Sequence, residues 1–412
     1  MKVAIGLNIK YIDGGVTAPV GFTAAGVHCG IRKNKSKSDL ALILADRRCS
    51  AAAVYTQNLV KGSPIIVTGQ NIADGYAQAV ICNSGNANTC NADGEEKAMK
   101  MCEVAAEVCG IPSQDVIVAS TGVIGQILPI EPIIHAKALL KESLSATGSS
   151  DAAEAIMTTD TFKKEFALEF TLQGKTVKMG GIAKGSGMIH PNMATMLCFI
   201  TTDAAISPAM LQKALSAVIE DTFNMVSVDG DTSTNDMVSV LASGGAGNDL
   251  IDRVNEDYAV FKQALYSMNE SLSREIARDG EGATKLLTCK VTGGVDKKNA
   301  RIIAKSVITS SLFKAAMFGG DANWGRVLCA IGYSGASLSI DTVRLRFASA
   351  SGEILVCERG AGVDFSEEIA AEILKEKEIE ILIDLEDGNE NATAFGCDLT
   401  YDYVKINGDY RT

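Results

Sequence analysis

The sequence predicts an α+β fold in which layered β-sheets are covered by helices. Three observations indicate this class. Short apolar runs typical of buried strands recur along the whole chain of 412 residues. Helical periodicity is confined to a few longer segments between these runs. The two kinds of segment alternate irregularly, without the regular βαβ succession that predicts a parallel sheet.

The predicted strands are apolar runs bounded by turn residues. The clearest is residues 379–385, where apolar and polar residues alternate with the period of two that a half-buried strand requires. The other predicted strands are residues 40–45, 79–82, 116–119, 176–179, 196–201, 237–242, 286–291, 302–307, 343–347 and 354–357.

Helices are predicted from their caps and from apolar periodicity. Ser207 and Pro208 have the residue types preferred at an N-cap and at the first helical position. Gly110 is a typical C-terminal stop, and Asp364 with Glu367 resembles a capping box. The predicted helices are residues 95–109, 131–144, the segment that starts at 207–208, 258–276 and 365–377. Residues 244–248, rich in Gly and Asn, are the best candidate for a linker.

Composition argues against several classes of function. The chain has 38 basic and 50 acidic residues, a net charge of −12, which disfavours nucleic acid and anionic membranes as partners. Eleven cysteines without a Cys-x-x-Cys pair predict reduced core residues, and three histidines give little support to a metal site. The amino terminus lacks a signal-peptide pattern, and no apolar run reaches the roughly 18 residues of a membrane span, so we expect a cytoplasmic protein.

Thr195 lies where a glycine-rich loop, residues 180–194, meets the apolar run 196–200. A hydroxyl held at such a junction suits a nucleophile. Cleavage of the Ala194–Thr195 bond would add an α-amine with an ordinary pKa of about 7.7–8.0, which can act as the base. Taken alone, a threonine here more often has a structural role, because β-branched residues favour strand starts.

The string HPNMATML at residues 190–197 resembles the self-cleavage region of the ornithine acetyltransferase family of arginine biosynthesis, also called bifunctional glutamate N-acetyltransferases. Residues 83–88, 229–236 and 321–326 resemble other blocks of that family, so the resemblance runs from about residue 18 to residue 412. It implies a self-cleaving, N-terminal-nucleophile-like fold with an α chain of residues 1–194 and a β chain of residues 195–412. It also implies an α2β2 heterotetramer of these two intertwined chains.

The activity implied by the resemblance is acetyl transfer from N-acetylornithine to glutamate through an acetyl ester on Thr195. The products are ornithine and N-acetylglutamate, intermediates of the cyclic arginine pathway. The resemblance implies small-molecule substrates. The sequence contains no dinucleotide-binding fingerprint and no zincin helix, so we expect no metal and no cofactor. Whether acetyl-CoA is a second acetyl donor stays open, because members of the family differ and no residue in this sequence decides it.

Thr121 and Gly122 match the oxyanion pair of the family. They follow the apolar run 116–119, and a Thr-Gly turn after a strand can present a hydroxyl and a backbone N–H to one point. Lys184 matches a substrate-binding lysine and suits the carboxylate of an amino acid. Without the resemblance, Ser120-Thr121-Gly122 is ordinary turn chemistry and Lys184 is a solvated loop residue.

Four further residues match substrate-binding positions of the family. Thr158 lies in the matching string 156–161, and Glu281 lies between two glycines after the predicted helix 258–276. Asn407 and Thr412 match residues that close the site near the carboxyl terminus. Gly408 stands where alanine is frequent in the family, and the spacing is unchanged.

Two other functions remain open from the sequence. A self-cleaving hydrolase or aminopeptidase would use the same Thr195 nucleophile but release acetate without an acceptor. An uncleaved binding or structural protein would carry an inert Thr195 and remain one intact chain.

Overall fold

The computed structural model describes residues 9–190 and 196–409. These residues form two compact units, each with its own β-sheet. The first unit comprises residues 9–185, 196–220 and 232–272, and the second comprises residues 186–190, 221–231 and 273–409. Each unit therefore contains residues from both sides of the Ala194–Thr195 bond. The α+β class with sheets and covering helices is confirmed.

The sheet of the first unit has nine strands among the described residues, in the order β1-β6-β7-β8-β10-β3-β4-β5, with β2 also paired to β3. Its strands are β1 (Lys10–Ile12), β2 (Phe22–Val27), β3 (Leu40–Tyr55), β4 (Tyr76–Asn83), β5 (Val116–Ser120), β6 (Lys164–Leu172), β7 (Lys175–Lys184), β8 (Leu197–Thr202) and β10 (Met237–Ala242). The strand labelled β9 belongs to the second unit.

Strand β8 lies in the interior of this sheet. It pairs antiparallel with β7 and parallel with β10, and its six residues are all buried. Strands β5 and β10 are buried along their whole length as well. Burial on both faces explains why these three strands are continuous apolar runs in the sequence.

Helices cover both faces of the strands of the first unit. Leu42 belongs to a core cluster with Met101 and Leu140 of the helices, whereas its neighbour Ile43 belongs to a different cluster with Ala152. Neighbouring residues of a strand point to opposite faces, so each face has its own core. The helices are α1 (Ser63–Asn71), α2 (Gly94–Cys109), α3 (Ile130–His135), α4 (Lys137–Ser143), α5 (Ser149–Ala155), α6 (Pro208–Ile219) and α7 (Glu256–Arg278), of which residues 256–272 belong to this unit.

Two helix predictions for the first unit have different outcomes. The N-cap Ser207 is confirmed, since its Oγ accepts a hydrogen bond from the backbone N of Met210 at 3.4 Å. The single helix predicted over 131–144 is two helices, α3 and α4, which Ala136 separates. The segment 244–248 is a loop within the first unit, not a boundary between units.

The sheet of the second unit has seven strands among the described residues, in the order β14-β13-β12-β15-β11-β16-β9. They are β9 (Val226–Ser227), β11 (Leu286–Gly294), β12 (Arg344–Ser349), β13 (Gly352–Glu358), β14 (Ala361–Gly362), β15 (Glu378–Asp384) and β16 (Glu390–Cys397). The helices are α8 (Lys297–Thr309), α9 (Ser311–Gly319), α10 (Trp324–Gly332), α11 (Glu367–Leu374) and α12 (Tyr401–Gly408).

Two predictions for the second unit are wrong. The strand predicted at 302–307 lies inside α8, which Asp296 caps by accepting a hydrogen bond from the backbone N of Asn299 at 2.7 Å. Its buried residues are spaced by three and four along one face, as in a helix. The N-cap of α11 is Ser366 instead of Asp364, because the Ser366 hydroxyl accepts from the backbone N of Ile369.

Short 3-10 turns complete the described chain at Gly15–Thr17, Ser113–Asp115, Phe223–Met225 and Ile340–Thr342. Within residues 9–190 and 196–409, no single helix is both long and apolar enough to cross a membrane. Helices α8 and α9 reach that length and composition only as a pair bent by 57°, and both bury residues in the core of the second unit.

Candidate active site

In the first unit, Lys184 and Thr121 meet although 63 residues separate them in sequence. Lys184 is the last residue of β7 and Thr121 follows β5 directly, and the Lys184 Nζ lies 3.3 Å from the Thr121 Oγ1. Only 8% of Lys184 is exposed. The solvated-loop interpretation of Lys184 is therefore wrong.

Gly122 has a conformation and surroundings that only glycine fits. Its φ is +134°, and a Cβ at this position would lie 2.4 Å from the carbonyl carbon of Gly85 and 2.5 Å from the backbone N of Asn86. The turn after β5 is thus packed directly against the backbone of residues 85–86. A methyl group here would force the two segments apart.

Two buried asparagines hold the turn that carries Thr121. The backbone carbonyl of Asn83 accepts from the Thr121 backbone N at 3.0 Å. The side-chain Oδ1 of Asn83 accepts from the Ser120 hydroxyl at 2.6 Å. Asn235 donates its Nδ2 hydrogens to the carbonyls of Ala87 at 2.6 Å and Ser120 at 3.0 Å. Backbone and side chain are both fixed, so the position of the Thr121 hydroxyl is well determined.

Buried charges accompany Lys184. The Oδ1 of Asp160 accepts from the Lys164 Nζ and from the backbone N of Gly185, both at 2.7 Å. Its Oδ2 accepts from the backbone N of Thr158 at 2.9 Å, so the predicted substrate residue Thr158 lies beside Asp160. Burial alone would raise the pKa of Asp160, but Lys164 and Lys184 outweigh it and hold that pKa below its usual range.

Asp236 has the opposite shift. It is fully buried, and its Oδ2 has no hydrogen-bond partner within the described residues. Burial raises the pKa of this carboxyl well above its ordinary value, although Ser233 and Lys184 act in the other direction. Asp160 and Asp236 therefore differ in the direction of their pKa shifts, although Lys184 favours the charged form of both carboxyls.

In the second unit, Glu281 and Asn407 form a pair. The Asn407 Nδ2 donates to the Glu281 Oε2 at 2.8 Å, from the exposed helix α12 to a buried carboxylate. A Cβ on Gly187 would lie 2.3 Å from the Glu281 carboxyl carbon, so this glycine makes room for the side chain. The Glu281 backbone N donates to the carbonyl of Ser186 at 3.0 Å.

The remaining site residues lie outside the described ranges: Ala194, Thr195 and Thr412. The residues on either side of the predicted cleavage region are described. His190, in the second unit, has its Nδ1 3.1 Å from the Ser227 hydroxyl, and burial and Lys305 lower its pKa to about 4. Met196, in the first unit, accepts from the backbone N of Met237 at 2.9 Å just before β8.

Sequence reasoning missed the polar residues that hold the predicted ones. Asn83, Asp160 and Asn235 lie in strings that resemble family blocks, but the sequence analysis assigns no role to them. The sequence signal available for them was a polar residue within such a block whose neighbours are not typical of a protein surface. No group of His, Cys, Asp and Glu in the described part of the chain has the arrangement of a metal site.

Buried lysines and carboxylates fixed by hydrogen bonds are typical of an enzyme site for a small polar substrate. The ArgJ family model matches residues 23–412, and the chain belongs to the ArgJ family. The predicted relationship to enzymes of arginine biosynthesis is thereby confirmed.

Two relatives match this chain over nearly its whole length. The arginine biosynthesis bifunctional protein ArgJ of Caldanaerobacter subterraneus is 49% identical over 405 residues, 98% of this chain and 100% of that protein. The protein of the same name from Symbiobacterium thermophilum is 50% identical over 406 residues, with the same two shares. A crystal structure is known for the protein of that name from Bacillus halodurans, whose sequence is 47% identical. The structural match covers 51% of this chain and 97% of the crystallised chain, with a TM-score of 0.49.

Proposed function

We propose that this protein transfers an acetyl group from N-acetylornithine to glutamate through an ester on Thr195. Membership of the ArgJ family supports the reaction, and the contact between Lys184 and Thr121 is the structural observation that carries it. The protein first cleaves itself at Ala194–Thr195 into chains of residues 1–194 and 195–412. The finer expectations of an α2β2 assembly and a cytoplasmic location belong to this proposal.

Self-cleavage begins with attack of the Thr195 hydroxyl on the Ala194 carbonyl carbon. The C–N bond breaks, the amine takes a proton, and an ester joins Ala194 to the Thr195 oxygen. Water then attacks the ester carbonyl and releases the Ala194 carboxylate. The products are two chain ends and a Thr195 whose hydroxyl and α-amine are both free, as nucleophilic catalysis by an N-terminal threonine requires.

In the transfer reaction, the Thr195 hydroxyl attacks the acetyl carbon of N-acetylornithine, and its proton passes to the α-amine of Thr195. Breakage of the amide bond releases ornithine, whose amine takes that proton, and leaves an acetyl ester on Thr195. The amine of glutamate then attacks this ester. N-acetylglutamate leaves, and Thr195 regains its proton.

Thr121 is well suited to stabilise the oxyanion of both steps. An ammonium group has only donors, so in the contact with Lys184 the Thr121 oxygen must be the acceptor. The hydroxyl hydrogen of Thr121 is then left to donate to the substrate, with the backbone N–H of Gly122 as the second donor.

Substrate recognition follows from charge. The buried ammonium group of Lys184 suits the α-carboxylate of ornithine or glutamate. We assign the Glu281 carboxylate, oriented by Asn407, to a substrate ammonium group, and Thr158 and Thr412 to further hydrogen bonds. The relatives are named bifunctional, which supports acetyl-CoA as a second donor.

The first test is mass spectrometry of the purified protein with matched variants. Wild type and Thr195→Ser should yield fragments ending at residue 194 and starting at residue 195, whereas Thr195→Ala should remain one inactive chain. A cleaved and active Thr195→Ala protein would overturn the mechanism.

The second test follows N-acetylglutamate formation with N-acetylornithine or acetyl-CoA as donor. Product from both donors is expected. Product from N-acetylornithine alone removes the second activity, and acetate released without glutamate indicates a hydrolase instead.

A further inference from the structure

The first unit carries a basic loop, residues 32–37, whose sequence is Arg-Lys-Asn-Lys-Ser-Lys in a chain with a net charge of −12. Lys33, Lys35 and Lys37 are all exposed. In the described part of the chain, none of their ammonium groups forms an ion pair or a side-chain hydrogen bond. Other lysines of this unit, such as Lys100, pair with carboxylates. The basic loop therefore presents to solvent three cations that have no paired carboxylate among the described residues.

The backbone of the basic loop is held in a defined conformation. The fully buried carboxylate of Asp39 accepts hydrogen bonds from the backbone N of Cys29 at 2.6 Å and of Arg32 at 2.9 Å. Farther along, the Asn34 Oδ1 accepts from the backbone N of Ser36 at 3.0 Å. Hydrogen bonds to an ionised acceptor are among the stronger ones, so the start of the loop is well fixed.

Arg32 places the basic loop beside the candidate site of the first unit. A Cβ on Gly85 would lie 3.0 Å from the Arg32 Cγ, and Gly85 is also the residue against which Gly122 packs. The Arg32 guanidinium donates to the carbonyl of Met157, the residue before Thr158. Arg32 thus contacts both the segment that supports the oxyanion turn and the segment that carries a predicted substrate residue.

The charge of the basic loop suits an anion larger than an amino acid. Lys184 is already assigned to the α-carboxylate of the amino-acid substrates, and it is buried, whereas the lysines of the loop are exposed. Coenzyme A carries a diphosphate and a 3′-phosphate, which a long pantetheine arm separates from the thioester. A ligand of this kind requires cations beside the site of acyl transfer and not within it, and lysine ammonium groups bind phosphate well.

We propose that Lys33, Lys35 and Lys37 bind the phosphates of acetyl-CoA while its acetyl thioester reaches Thr121 and Gly122. This inference rests on the proposed function, in which acetyl-CoA is the second acetyl donor. N-acetylornithine has no phosphate, so the basic loop has no part in its binding. Only one of the two transfer reactions should therefore depend on the loop.

The experiment measures steady-state formation of N-acetylglutamate by wild type and by the triple variant Lys33→Gln/Lys35→Gln/Lys37→Gln. The KM for acetyl-CoA should rise about tenfold, because each exposed ion pair is weak but three act on the same ligand. The KM values for N-acetylornithine and glutamate should not change, which also shows that the variant is folded.

A matched control removes the same three charges elsewhere in the first unit. Lys175, Lys213 and Lys262 are exposed there, and their triple change to glutamine should leave every KM as in wild type. Screening by salt gives a further readout. Raising the ionic strength should increase the KM for acetyl-CoA in wild type more than in the basic-loop variant.

S-acetylpantetheine separates recognition of the phosphates from recognition of the thioester. It offers the same acetyl thioester as acetyl-CoA without the nucleotide, so wild type and the basic-loop variant should use it equally. A basic-loop variant that uses S-acetylpantetheine less well than wild type would contradict the assignment to phosphates.

Three results would overturn the inference. The first is an equal KM for acetyl-CoA in wild type and the basic-loop variant. The second is a matching rise in the KM for glutamate, which would mean that the loop attracts anions in general. The third is a wild type that neither uses acetyl-CoA nor binds CoA in a calorimetric titration but still transfers from N-acetylornithine. A wild type that fails with N-acetylornithine contradicts the proposed function instead, and the CoA titration then still tests the loop.

Discussion

Asn235 holds the carbonyl of Ser120, the residue just before the Thr121–Gly122 pair, with a hydrogen bond of 3.0 Å across 115 positions of sequence. The same amide group also donates to Ala87, and its Oδ1 accepts from the hydroxyls of Thr89 and Thr234 at 2.6 Å each. One buried side chain thus joins three segments of the first unit around the proposed oxyanion site.

Asn235→Ala should lower both stability and turnover. The change leaves two buried hydroxyls and two buried carbonyls without their present partner, and an unsatisfied buried polar group costs about 1–3 kcal/mol. We expect a lower thermal midpoint and a lower kcat, measured by calorimetry and by N-acetylglutamate formation. Asn391→Ala, at an exposed position of β16, is the control and should change neither. Unchanged kcat in Asn235→Ala would contradict its role in holding Ser120.

Gly122→Ala should abolish most of the transfer activity. A Cβ at Gly122 meets the backbone of Gly85 and Asn86, so the turn must move away from its present position. Loss of one oxyanion donor typically lowers the rate by about 10²–10³-fold.

Gly125→Ala is a matched control for this prediction. Gly125 also has a positive φ, +79°, but a Cβ there meets no atom within 4 Å. It therefore reproduces the conformational strain without the collision. Similar loss of kcat in Gly122→Ala and Gly125→Ala would show that strain of the loop, and not the position of the Gly122 N–H, accounts for the effect.

Lys184→Met should weaken substrate use with little change in fold. Methionine retains most of the aliphatic length but removes the charge that we assign to a substrate carboxylate. We expect kcat/KM to fall by about 10²-fold or more, as is usual when one partner of a buried charged pair is removed. Lys175→Met, at an exposed position of the same strand β7, is the control. Comparable kcat/KM values for the two variants would refute the assignment.

The stability of the protein should fall on the acid side partly through His190. Burial, with a contribution from Lys305, lowers the pKa of His190 from 6.5 to about 4 in the folded protein. As the pH falls below 6.5, the unfolded chain binds a proton at this histidine and the folded protein does not, so stability is lost progressively down to about pH 4. Above pH 6.5 both states are neutral at His190, and this residue contributes no pH dependence.

Thermal midpoints of wild type and His190→Gln between pH 7 and pH 4 test this expectation. The variant should lose less stability than wild type over the interval, because glutamine does not titrate. His135→Gln, at an exposed site of α3, should follow the wild-type curve. A His190→Gln curve parallel to that of wild type would mean that other groups produce the acid sensitivity.

The sequence predicts most accurately those elements whose pattern of apolar residues matches their burial in the folded protein. The strand predicted at 237–242 is β10 as observed, since a continuous apolar run suits an interior strand. Residues 302–307 are predicted as a strand because the segment is short and begins with three apolar residues, although Lys305 and Ser306 follow them. The buried residues of α8, from Ala300 to Ile308, are spaced with the helical period. This period becomes clear only when the residues on both sides of 302–307 are included.

The candidate site could be predicted only where a single string carries it. Thr121, Lys184 and Glu281 each lie in a short recognisable motif, so their selection needed no three-dimensional information. The partner Asn235 could not be found in this way. Its role depends on a hydrogen bond to Ser120, which is 115 positions away, and this pairing follows from chain topology and not from local pattern.

Strand β8 begins two residues after Thr195 and is hydrogen-bonded along both edges, to β7 from before the proposed cut and to β10 from after it. Cutting at Ala194 would therefore give a new amino terminus that enters the middle of a sheet and not its border. The two products would be joined by the hydrogen bonds between β7 and β8 and could not dissociate unless these bonds were broken. Cleavage at this point would therefore create a reactive amino terminus without exposing an unpaired strand edge to other protein molecules.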